Sequence, residues 1–97
     1  MEKNNYKSFM QMAIDEAEKA SSLGEVPVGA VTVYNNEVLA KSGNRMVKYS
    51  NPTMHAEMIV LQKSSEILIN RGLSIRHEKL DLFVTLEPCP MCAHAIS

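Results

Sequence analysis

The sequence has no excess of either charge, no long apolar run, no internal repeat and only two cysteines. Each absence closes a class of function. Ten Lys and Arg stand against eleven Asp and Glu, a formal net charge of −1, so no basic surplus advertises a nucleic-acid partner. No apolar stretch approaches the ~20 residues that a membrane helix needs. The opening MEKNNYKSFMQM carries an acid near its front and no long apolar core, so it does not read as a secretory signal. The cytoplasm is then the default compartment. Thiols there stay reduced, and a cysteine pair reads first as metal or redox chemistry. No low-complexity tract or linker divides the 97 residues, and 45% hydrophobic with 22% charged residues fits one soluble globular domain, 1–97, with a thin core.

What is present has a clear order. Tyr6, Met10, Ala13, Ile14, Ala17 and Ala20 recur at helical spacing, with Asp15, Glu16, Glu18 and Lys19 opposite. That predicts an amphipathic helix stopping near Gly24. VPVGAVTVY reads as a strand, Asn35-Asn36 as a tight turn, and EVLAKS as a returning strand. GNRMVKYSNP reads as a loop. A second helix is expected from Thr53, as its N-cap, to about Ile69, ending at NRG. KLDLFVTL reads as a third strand, buried on both faces. Pro88 suits the first turn of a third helix. That helix reaches barely two turns before Ser97. The order helix, strand, strand, helix, strand, helix start predicts an incomplete α/β domain, the front of a longer one.

The chemistry gathers at two helix starts. HAE occupies 55–57 and EPCPMC occupies 87–92. Cys89 and Cys92, at i and i+3, share a helix face. With His55 they make three zinc-type ligands and leave a fourth tetrahedral place open, as a catalytic zinc requires. Water held in such a place has a pKa near 7 instead of ~15.7. Glu57 lies two residues from His55 and reaches the same site only from the helix's first turn. There it serves as a proton shuttle rather than a ligand. Each motif alone is weak, because redox pairs share CxxC and HxE is common. Together and in this order they carry weight. His77 reads as solvated surface, His94 as structural or partner-facing, the seven Met as core filler and Glu37 as a solvated face.

H-x-E followed by P-C-x-x-C is the signature of zinc deaminases, and the chain resembles the cytidine deaminase superfamily, most closely its tRNA adenosine deaminase branch. The matching stretches are EVPVGAV (25–31), GNR (43–45), NPTMHAEMIVL (51–61) and LFVTLEPCPMCAHAI (82–96). Guanine deaminases share part of this pattern and form an alternative. An inactive zinc-binding fragment forms another. The resemblance implies a cytidine-deaminase-like three-layer α/β/α sandwich, with zinc on His55, Cys89 and Cys92 and Glu57 as catalytic shuttle. It also implies base contacts from Asn44 and the backbone N–H of Ala56, and Val28 near the pocket floor. The implied reaction is hydrolysis of adenosine to inosine in tRNA, at the wobble position. Family domains continue with two more strands and a C-terminal helix, which help make a homodimer. The resemblance therefore implies that dimer for complete relatives and leaves this stretch without its means.

Overall fold

β-Branched and small residues build the centre of the molecule. In a computed structural model, which describes residues 6–48, 50–51 and 54–85, strand β1 (Gly29–Tyr34) is flanked by β2 (Glu37–Gly43) and β3 (Asp81–Val84). The sheet order is β2-β1-β3, and both pairings are antiparallel. Asn35 and Asn36 close the β1–β2 hairpin, both with positive φ, as a two-residue turn of this twist demands. Helices α1 (Tyr6–Ser22) and α2 (Ala56–Asn70) cover opposite faces.

The alternation along β1 assigns the faces. Val31 and Val33 pack with Phe9 and Ala13 of α1. Ala30 packs with Ala56 and Val60 of α2. The result is the expected α/β/α layering, with each fully buried valine contributing roughly 1.5–3 kcal/mol. Thr32, facing α2, meets Ser64 at 2.5 Å between hydroxyl oxygens. Ser64 donates in turn to the Val60 carbonyl at 2.7 Å, so the proton between the two hydroxyls belongs to Thr32.

Helix α1 lies close on the sheet because both sides are small there. Ala13, Ala17 and Ala20 are buried. Opposite them, Gly29 and Gly43 are register partners across β1 and β2. A Cβ on Gly29 would meet the Ala13 carbonyl oxygen at 1.9 Å, and one on Gly43 would meet the Ala20 Cβ at 2.6 Å. Only glycine permits this approach.

Three expectations need correction. β3 is not buried on both faces: it is a sheet edge among the described residues, and Leu82 is 41% exposed. Among the described residues the doubly buried strand is β1, because it alone there has a neighbour on each side and a helix on each face. The N-cap of α2 is His55, not Thr53, which lies outside the described residues. Glu16, placed on the polar face of α1, is buried and pairs with Lys19 at 3.6 Å. Other expectations agree with the structure. α1 runs to Ser22 just before a left-handed Gly24, and α2 ends before a left-handed Gly72. His77 is exposed. Glu37 is exposed too, although it is paired with Arg71 at 2.8 Å across the β2–α2 gap.

Candidate active site

The end of the sheet where β1 begins and β2 ends is also where α2 begins. The backbone N–H of Asn44, just past β2, donates to the Val28 carbonyl at 3.1 Å. Its side chain turns inward and is 2% exposed. There Oδ1 accepts the Ala56 N–H at 2.8 Å. A helix start leaves its first N–H groups without partners. The N-cap side chain normally supplies one. Here the His55 side chain makes no capping bond, and an amide from the β2 loop takes its place. That leaves the His55 imidazole exposed at the helix's positive end, on extended backbone with φ −77° and ψ 148°.

β3 leads to the same corner. The Thr85 N–H donates to the Gly29 carbonyl at 2.9 Å, and the Gly29 N–H donates to Thr85 Oγ1 at 3.1 Å. Four residues further along the sequence stands Cys89. Cys89 and Cys92 lie outside the described residues, as do Pro88 and His94. Among the described residues no three His, Cys, Asp or Glu side chains form a metal-holding group. Of the three expected ligands, His55 alone lies among the described residues. An exposed imidazole, released from capping at a helix N-terminus, fits a zinc ligand, and the donor set of one imidazole and two thiolates fits zinc chemically.

The family described as the cytidine and deoxycytidylate deaminase zinc-binding region matches residues 3–97. The chain belongs to this deaminase family. It is 46% identical over 89 residues to the tRNA-specific adenosine deaminase of Agrobacterium fabrum, covering 92% of this chain and 56% of that protein. Against the tRNA-specific adenosine deaminase of Bacillus subtilis the identity is 44% over 88 residues, or 91% and 52%. The chain thus spans about half the length of the curated relatives it matches. Among solved structures, one from a study of A-to-I editing by tRNA:A34 deaminases superposes with a TM-score of 0.75 at 44% identity, covering 95% of this chain and 68% of that one. A guanine deaminase from Bacillus subtilis superposes with a TM-score of 0.70 at 30% identity, covering 95% and 57%.

Within this deaminase frame the expected site residues fall as follows. Glu57 is half-buried in the first turn of α2, where the helix N-terminus favours a carboxylate. Asn44 and Ala56 are brought into direct contact, so the Ala56 N–H that resemblance assigned to the base donates to Asn44 in this structure. Val28 is buried and packs against Ala56 in the α2-facing core.

Sequence reasoning passed over Glu25. This carboxylate is 6% exposed. It accepts the Val47 N–H at 3.0 Å and the Lys48 N–H at 2.9 Å, tying the loop after Asn44 to the end of α1. Burial pushes its carboxyl up, but the Val47, Lys48 and Met46 N–H groups and the Arg45 charge outweigh that and hold it below the usual carboxylate range. The available signal was a lone acid directly after a cap glycine and directly before the apolar stretch VPVGAV.

Proposed function

We propose that this chain belongs to a zinc-dependent hydrolase that converts adenosine to inosine in tRNA, at the wobble position. One observation supports the choice above others. The curated relatives at 46% and 40% identity, each over more than nine-tenths of this chain, are named tRNA-specific adenosine deaminases, against 30% identity for the guanine deaminase structure. In this reading residues 1–97 form one deaminase-like domain working in the cytoplasm.

His55, Cys89 and Cys92 would hold the zinc. Bound there, zinc supplies the Lewis acidity that makes water a competent nucleophile near neutral pH. The remaining work belongs to the chain's own side chains. Glu57 takes a proton from the attacking water and delivers it to the departing amine, so that adenosine and water yield inosine and ammonia. Asn44 and Ala56 shape the base site. The Ala56 N–H fixes which way round the Asn44 amide sits, with Nδ2 as its donor side toward an acceptor on the base.

The test pairs elemental analysis with an inosine assay on tRNA and a guanine-deamination assay. The chain should carry about one zinc and form inosine in preference to deaminating guanine. Glu57→Gln should keep the metal and lose activity by on the order of 10²-fold or more. Faster turnover of guanine than of tRNA adenosine would overturn the substrate assignment. Loss of zinc in Glu57→Gln would overturn the role given to Glu57.

A further inference from the structure

An open groove of about 440 Å³ runs between β2 and α2. Four cations line it: Lys41 from β2, Arg45 and Lys48 from the loop that follows, and Lys63 from α2. Glu66 is the one carboxylate on its walls among the described residues. Four of the chain's ten Lys and Arg therefore face one groove, in a chain whose net charge is −1. The balanced composition hides this, because the fold gathers cations that the sequence scatters over residues 41–63. All three lysines are exposed.

The groove is distinct from the active site yet adjoins it. Arg45 directly follows Asn44, and Met54 directly precedes His55; both line the groove. They are also joined, since the Arg45 N–H donates to the Met54 carbonyl at 2.9 Å. Along α2 the lining residues run from Ile59 to Glu66, a length of about 10 Å at the helical rise. A pocket for a small metabolite would be enclosed and mostly apolar. An open channel with cations spaced along it suits a chain of phosphates.

We propose that this groove holds the phosphodiester backbone of the RNA strand flanking the target adenosine, with Lys41 and Lys63 as phosphate contacts. The inference rests on the RNA-substrate reading above. It adds a surface outside the metal corner and assigns it a ligand class.

Phosphate contacts release counterions, so binding weakens with salt in proportion to the contacts made, with a slope of about 0.7 per phosphate on single strands. The experiment measures the affinity of the full chain for an RNA stem-loop with an adenosine in its loop, across a salt series. Lys41→Glu/Lys63→Glu is compared with the parent, with folding checked by circular dichroism. Lys41→Gln/Lys63→Gln serves as the milder variant should the reversal disturb folding. The double reversal should weaken binding roughly tenfold or more at low salt and flatten the salt slope by about 1.4, and the neutral pair should flatten it likewise. Inosine formation is scored separately. Flattening in a parent chain that deaminates guanine faster than the loop adenosine would uphold the groove while overturning the deaminase substrate. Inosine formation with a salt slope indifferent to both variants would remove the groove and leave the substrate standing. Equal weakening toward polyglutamate would mark a general anion surface and overturn the assignment to RNA.

Discussion

At the scale of single residues, the unusual element is Glu25, a carboxylate that does the work of a turn. It grips two successive backbone N–H groups and so holds the loop whose first residue, Asn44, caps α2 from a distance. Because its pKa is depressed in the folded state, its contribution is present at neutral pH. It is lost as pH falls below the ordinary value of about 4.3 and through the lowered folded value. A glutamine there offers one acceptor and a surplus N–H donor, so it cannot serve both groups. Glu25→Gln should speed hydrogen exchange at Val47 and Lys48 by roughly tenfold or more. It should also remove the acid-side step from the pH dependence of that exchange. Unchanged protection of both amides would show that the loop holds itself.

At the scale of elements, the contact between β1 and α2 hides a polar pair inside an apolar layer. Ser64 has a second partner in the Val60 carbonyl, whereas Thr32 has only the Ala40 carbonyl, at 3.5 Å. That distance is too long to count for much. The two hydroxyls are therefore unequal. Ser64→Ala strands the Thr32 hydroxyl in a dry site and should cost about 1–3 kcal/mol. Thr32→Val leaves Ser64 satisfied and should cost less. The double variant should recover most of the loss, because both partners vanish together. Urea unfolding of the three variants measures this cycle. Strictly additive costs would mean that the hydroxyls do not depend on each other.

At the scale of the whole molecule, the sequence disclosed its elements better than their neighbours. Ala13, Ala17 and Ala20 at helical spacing, and the Asn35-Asn36 turn, announce themselves because their signals are local. The identity of the central strand is not local. VTVY and LFV both read as apolar strands, and only the pairing order makes β1 central and β3 an edge among the described residues. The candidate site was legible only as a motif. His55 and Glu57 are read from their motif, but the Asn44–Ala56 bond joins residues 12 apart. The cation groove was not legible at all, since its walls come from three segments. The same non-local logic governs the glycine pair beneath α1, and it extends to genetics. At position 29 the three nearest atoms to an added methyl are main-chain atoms of Ala13 and Ala17; at position 43 the nearest is the Ala20 side chain, with the Glu16 carbonyl oxygen close behind. Gly29→Ala should cost on the order of 1–3 kcal/mol or more, and no single substitution elsewhere should suppress it, because no side chain can be trimmed out of the way. Gly43→Ala should be partly suppressed by Ala20→Gly. In a folding-reporter screen the two sites should therefore differ in epistasis: position 29 without suppressors, position 43 with one on α1.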